Sequence, residues 1–122
     1  MAGQIANMNP VVEDHSASYT VVPADIRKIL VATGAATFTL PPVANVTDGW
    51  NVTFFNAVDA AMTVSAPTGL LVTFNDVAAN SVALSTTSEK AGGGFRIVYD
   101  ATLGKYLCFI MTEETQTVTV AT

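Results

Sequence analysis

Short segments of alternating apolar and polar residues run through this chain, and they limit its fold more than any other feature. In the segment ATFTL, Ala36, Phe38 and Leu40 fall on one side of an extended chain, while Thr37 and Thr39 fall on the other. Successive side chains of a β-strand point to opposite faces, so this pattern predicts a strand with one buried face.

The same alternation of apolar and polar residues recurs at short intervals, with Gly, Pro, Asn and Asp between the segments. No stretch has the three-to-four-residue apolar period of a long amphipathic helix. The pattern therefore predicts an all-β domain, a β-sandwich or barrel-like fold of about eight to ten short, mostly antiparallel strands. The predicted strands are residues 18–22, 27–31, 36–40, 50–56, 61–65, 70–74, 81–85, 95–100, 105–111 and 115–122.

The two ends of the 122-residue chain differ from its middle. Residues 1–17 show no clean period, and we interpret them as an N-terminal arm, with a disordered terminus as the alternative. Residues 18–122 form one predicted β domain, in which residues 112–122 are an extra or exchanged strand. The apolar anchors of the arm are predicted interface residues, which would hold it on a partner chain: Ile5, Met8, Val11 and Val12.

Charge is scarce in this chain. Only 12% of its residues are charged, whereas about 25% is usual. The five basic residues are scattered and the net charge is −5, which argues against nucleic acid as a partner. Gly34, Pro41 and Pro42 interrupt the longest uncharged run, so no membrane span is predicted. So much apolar surface in a small domain predicts permanent contacts with other protein chains.

The segment KYLCFIM, residues 105–111, breaks the alternation because both of its faces are apolar. A strand of this kind lies between two packed layers or is covered by another subunit. It is the best internal indication of oligomerisation, and it places Leu107, Phe109 and Met111 in a predicted interface. The tail strand adds Val118 and Val120 to the same prediction.

The residues for catalysis are few. The only histidine, His15, lies in the predicted arm, and the only cysteine, Cys108, lies within an apolar strand where a small core residue is expected. The carboxylates are mostly single residues in turns, so no metal site and no cofactor are predicted. We therefore expect a protein that is not an enzyme.

Two binding functions are weighed against this interpretation. Tyr and Trp side chains could stack on sugars, but Trp50 shares its face with Val52 and Phe54 and is expected in the core. Two T-x-T pairs could form a flat hydroxyl surface of the kind that orders water on ice-binding faces, although Thr is also simply a good strand former. These pairs are Thr37 with Thr39 and Thr117 with Thr119.

The middle of the chain resembles small β domains of tailed-phage structural proteins, notably capsid decoration (cement) proteins and domains of head or tail fibres. The resemblance covers about residues 18–111. The shared pattern is Leu40-Pro41 at the end of a strand, Gly49-Trp50 after a turn, a strand ending at Asn56, and the Met62-Thr63-Val64 strand. Gly104-Lys105-Tyr106 departs from the Gly-Trp ending that such domains often carry near the last strand.

This resemblance implies a virion structural protein on the outer capsid surface, which stabilises a phage capsid as a homotrimer bridging subunits of the major capsid protein. It implies no catalysis and no small-molecule ligand. The alternatives are a head or tail-fibre module that binds a host-surface glycan receptor, and a lectin-like carbohydrate-binding domain.

Overall fold

A computed structural model of the chain describes residues 9–85, 90–112 and 116–122. These residues form twelve strands and two short 3-10 helices, arranged as two mixed sheets facing each other. The all-β class and the sandwich architecture are thereby confirmed. The strands are β1 (Val12–His15), β2 (Tyr19–Thr20), β3 (Ile29–Ala32), β4 (Ala36–Thr39), β5 (Asn51–Asn56), β6 (Met62–Ser65), β7 (Leu71–Thr73), β8 (Asp76–Ala79), β9 (Ser81–Leu84), β10 (Gly94–Asp100), β11 (Lys105–Met111) and β12 (Val118–Ala121).

The larger sheet has seven strands in the order β1-β3-β5-β10-β11-β7-β8, and the smaller has five in the order β12-β9-β6-β4-β2. Along β1 to β6 the chain changes sheet at every step. Each strand therefore returns beside the one two places earlier and runs in the same direction as it. From β9 onward, strands pair mainly with antiparallel neighbours.

This path corrects one detail of the sequence prediction. Five of the ten strand pairings in the described residues are parallel, whereas mostly antiparallel strands are expected from the pattern. The alternation of side chains reports which face is buried, but a parallel and an antiparallel strand bury the same alternate residues. The crossovers through the opposite sheet make the parallel pairs.

Two strands lie outside the segments that the sequence pattern predicts as strands. β1 lies within residues 1–17, the predicted arm, and pairs with β3 as the edge strand of the larger sheet. β8 directly follows the turn at Phe74 and Asn75 and forms the opposite edge, paired with β7. At the other end of the chain, β12 pairs with β9 of its own chain.

The core lies between the two sheets. Phe38 of β4 and Phe54 of β5 face each other across the layers with ring centroids 5.0 Å apart, and both are fully buried. Trp50 and Tyr106 are buried beside them, with hydrogen bonds from the indole Nε1 to the Pro23 carbonyl (2.9 Å) and from the phenol to the Pro41 carbonyl (2.6 Å). The expectation that Trp50 belongs to the core is confirmed.

Two 3-10 turns lie in the connections between strands. One spans Pro23–Asp25, between β2 and β3, and the other spans Val43–Asn45, between β4 and β5. Pro41 and Pro42 end β4, because proline cannot donate a hydrogen bond to a sheet ladder.

Candidate protein interface

The outer side of the seven-stranded sheet is largely apolar. Along β3, β5 and β10, alternate residues are fully buried in the core, so the residues between them face outward. We call this outer surface of β1, β3, β5, β10, β11 and β7 the apolar sheet face. Its outward residues are Val12, Asp14, Ile29, Val31, Asn51, Thr53, Phe55, Val72, Arg96, Val98, Leu107, Phe109 and Met111.

The strand register brings the large side chains of this face together. Arg96 of β10 lies opposite Phe109 on β11 and opposite Thr53 on β5. In the next row, Gly94 separates Phe55 from Met111. Gly94 has no room for a side chain, since a Cβ there would collide with the backbone of β5.

These large apolar side chains reach solvent. The exposed fractions are 52% for Phe109, 42% for Met111 and 40% for Phe55. Scattered exposed apolar residues are ordinary, but a contiguous patch across several strands marks an interaction surface.

Two charges lie within this apolar surface, apart from Asp100 and Lys105 at the end of the β10–β11 hairpin. Arg96 is near its middle and Asp14 is on its β1 edge, and both are exposed. Among the residues that the structure describes, neither side chain has an ion-pair partner within 4.0 Å.

The outer side of the five-stranded sheet has a different chemistry, and we call it the hydroxyl face. Thr37 lies opposite Thr63, and Thr39 lies between Thr20 and Ser65. Both predicted T-x-T pairs reach this sheet, since Thr117 directly precedes β12 and Thr119 is within it. The outward residues are Thr20, Thr37, Thr39, Thr63, Ser65, Ser81, Ala83, Ser85, Thr119 and Ala121, none of which is charged.

A network of charged and polar side chains joins the β1 and β2 edges of the two sheets. Its centre is Asp25, whose side chain is 1% exposed. Asp25 accepts hydrogen bonds from the Tyr19 hydroxyl (2.8 Å), the Val22 N–H (3.0 Å) and Lys28 Nζ (2.7 Å). Lys28 also donates to Glu13 of β1 at 2.9 Å.

The network fixes the charge states of its carboxylates. Burial disfavours the charged form of Asp25, but the hydrogen bonds from Lys28, Val22 and Tyr19 outweigh this and lower its pKa. Hydrogen bonds from Lys28 and His15 lower the pKa of Glu13, while Asp25 and Glu13 raise the pKa of Lys28. The network therefore attaches the edge strand β1 to the rest of the domain through ion pairs.

The two residues considered for nucleophilic chemistry are held in structural roles. His15 Nε2 lies 2.7 Å from Glu13 Oε1, and its ring stacks on Tyr19 at a centroid distance of 4.0 Å. Cys108 is partly buried in β11, and burial raises the pKa of its thiol to about 11. A thiol with such a pKa is almost wholly protonated at neutral pH, so it is a poor nucleophile.

An apolar cavity of about 600 Å³ opens where β2, β4 and β6 end. Its walls include Val21, Leu40, Pro41, Val43 and Pro67. The prolines signal the end of a strand in the sequence, but nothing in the pattern indicates that several strand ends would surround one cavity.

The predicted interface residues fall into three groups. Val12, Leu107, Phe109 and Met111 lie on the apolar sheet face, and exposed Val11 immediately precedes β1. Val118 and Val120 point inward and pack against the core of their own chain, because they are in register with Leu84 and Val82. Ile5 and Met8 lie outside the described residues.

Other residues of the apolar sheet face were not predicted. They include Ile29, Val31, Phe55, Arg96 and Val98. Phe55 has a clear signal in the sequence, since it shares the parity of outward Asn51 and Thr53. The others become neighbours only through the order of strands in the sheet.

Within the described residues, no cluster of three or more His, Cys, Asp or Glu side chains is arranged to hold a metal ion. The helices in that same part of the chain are too short to cross a membrane.

Comparisons with known proteins leave this face as the main guide to function. No family model, no curated protein and no solved structure matches the chain.

Proposed function

We propose that this protein is a virion structural protein that decorates and stabilises a phage capsid as a homotrimer bridging subunits of the major capsid protein. The resemblance of residues 18–111 to decoration domains suggests the virion setting. The structural observation that carries the proposal is the apolar sheet face, because a contiguous exposed apolar surface is typical of a site that binds other protein chains.

A structural role also agrees with the distribution of polar groups. The hydroxyl face is uncharged, so covering it with a partner avoids the cost of desolvating Lys, Arg, Asp or Glu side chains. The two faces lie on opposite sides of the sandwich. A subunit with two coverable faces can bind its own copies on one side and capsid subunits on the other, and several such contacts in one rigid assembly give avidity.

The proposal can be tested on capsids. Electron microscopy of virions with and without the full-length protein should show added density on the outer shell, and capsids lacking it should disassemble at lower temperature. Thr63→Asp places a charge on the hydroxyl face and should reduce occupancy on the capsid without changing the mass of the free assembly. Unchanged shells and equal disassembly temperatures would reject the decoration role.

One observation favours a fibre module that binds a host glycan. Phe74, at the tip of the β7–β8 hairpin, is 72% exposed and has a backbone φ of 35°, an unusual conformation for a bulky residue. Exposed aromatic rings at a tip can stack on sugars. Glycan-array binding that is lost in Phe74→Ala would support this alternative over the decoration role.

A further inference from the structure

We propose that the apolar sheet face is the contact between copies of this chain, and that Arg96 of one subunit pairs there with Asp14 of the partner subunit. This deepens the proposed function and rests on its premise that the apolar sheet face binds protein. The size of the face, its chemistry and the positions of its two isolated charges all favour a contact between identical chains.

The face is large enough for a stable homomeric contact. Its six strands span five strand spacings of about 4.8 Å, or about 24 Å, and β11 extends over about 20 Å. The flat area is therefore about 500 Å² before the relief of the side chains is added. Stable interfaces bury about 800 Å² on each partner, which is of the same order.

The chemistry of the face resembles a permanent contact between identical subunits. Phe55, Phe109 and Met111 are apolar and clustered, whereas Asp100 and Lys105 lie at the end of the β10–β11 hairpin. Homomeric interfaces are the more apolar class and depend on a few aromatic and Arg side chains near their centre. Arg96, next to Phe109, occupies such a central position.

The two charges cannot satisfy each other within one chain. Three strand spacings separate β1 from β10, and Asp14 lies in the row next to that of Arg96. With spacings of about 4.8 Å across the sheet and about 6.6 Å for each two residues along it, the two positions are about 16 Å apart. At this backbone separation the two side chains form no ion pair with each other in the described part of the chain.

The same two charges are complementary between copies. An isolated charge covered by an apolar partner is costly, so a partner must supply the opposite charge. In the proposed homotrimer, one neighbouring subunit supplies a carboxylate to Arg96 and the other supplies a guanidinium to Asp14, so both charges are neutralised. In a symmetric assembly the contact then repeats at every interface.

The first test is the mass of the full-length protein in solution. Light scattering and sedimentation over a wide concentration range should show an oligomer for the native chain. Phe109→Asp should shift it to monomer, raising the dissociation constant at least about a hundredfold, since a charge would be buried at the centre of the contact. Thr63→Asp, the matched change on the opposite face, should leave the mass unchanged.

Circular dichroism checks that each variant is folded, which is expected because both positions are on outer surfaces. A native chain that stays monomeric, or a Phe109→Asp oligomer of unchanged affinity, would overturn the proposal.

The second test is charge reversal. Arg96→Glu and Asp14→Arg should each raise the dissociation constant about tenfold or more, because like charges would then face each other. The double variant restores opposite charges and should recover most of the native affinity. Equal and additive losses in the double variant would exclude the pairing of Arg96 with Asp14 of the partner subunit.

These outcomes separate the inference from the proposed function. If the protein is an oligomer that passes both tests but never adds density to a capsid, the homomeric contact is supported and the decoration role is rejected. Capsid binding by a protein that remains monomeric keeps the decoration role but rejects both the homotrimer and the contact.

Discussion

The two outer faces of this sandwich are built by one repeating backbone pattern, yet their side chains differ in kind. The apolar sheet face exposes Phe55, Phe109 and Met111, whereas the hydroxyl face presents Thr37, Thr63 and their neighbours. Apart from Lys105 at the end of the β10–β11 hairpin, both faces avoid Lys and Glu, so neither has the usual charged exterior of a soluble domain. The difference suggests two kinds of partner: an apolar face suits permanent association, and a hydroxyl face suits a contact made through hydrogen bonds.

The strongest test of this comparison uses two adjacent phenylalanines on β5. Phe54→Ala should lower the free energy of unfolding by about 3–5 kcal/mol, because it removes a fully buried ring. Phe55→Ala should cost less than about 1 kcal/mol, because Phe55 faces outward. Urea denaturation in the monomeric Phe109→Asp background would measure both without the contribution of oligomerisation.

Comparable losses at the two positions would mean that Phe55 is covered by its own chain. The apolar sheet face would then be smaller than described, and the contrast with the hydroxyl face would weaken.

An intermediate effect is expected at the network that joins the edges of the two sheets. Asp25→Asn should lower the free energy of unfolding by about 2–3 kcal/mol, because Lys28 and Tyr19 lose a charged acceptor. Chemical denaturation near neutral pH would measure this loss. Asp48→Asn, which changes an exposed turn carboxylate, is the control and should cost less.

The same network predicts how stability depends on pH. The pKa values of Asp25 and Glu13 are lowered on folding, so their stabilisation is present at neutral pH. It is lost as the pH falls through the lowered pKa values, below about pH 4. Thermal melts from pH 7 to pH 2 should show this loss in the native chain and a weaker dependence in Asp25→Asn. Parallel pH curves for the two proteins would contradict the role given to Asp25.

The smallest effect is expected on the hydroxyl face itself. Thr63→Lys should change the free energy of unfolding by no more than about 0.5 kcal/mol, because Thr63 lies on the outer side of the sheet. Thermal melting would measure it, with Val64→Lys at the neighbouring buried position as the contrast that should unfold the domain. A large loss in Thr63→Lys would indicate that the hydroxyl face is covered by its own chain.

Much of the fold can be predicted from local alternation, as in ATFTL, where Phe38 is buried and Thr37 is on the outer face. The direction of a strand cannot, because alternation is the same for parallel and antiparallel neighbours. β1 escaped prediction because Glu13 and Asp14 interrupt its apolar residues, and these charges are accommodated by partners distant in sequence, such as Lys28.

Only part of the candidate interface can be predicted from the sequence, because local patterns describe single strands and not the order of strands in a sheet. The segment KYLCFIM shows that both sides of β11 are apolar, so Phe109 and Met111 could be named from the sequence. Phe55 and Arg96 are neighbours of those residues because β10 lies between β5 and β11 in the sheet. No local sequence pattern contains this strand order.

The alternating route of the first six strands has a consequence for how such a molecule can grow. Each circuit of the backbone lays down one strand in either sheet, as β3 with β4 and β5 with β6 show. Duplication of a single circuit would broaden both surfaces by one strand spacing, about 4.8 Å, and extend the interior by one more layer of inward side chains. The width of each outer surface can therefore change in steps of one strand. The outward side chains of the two sheets, which decide what each surface binds, can change independently of each other.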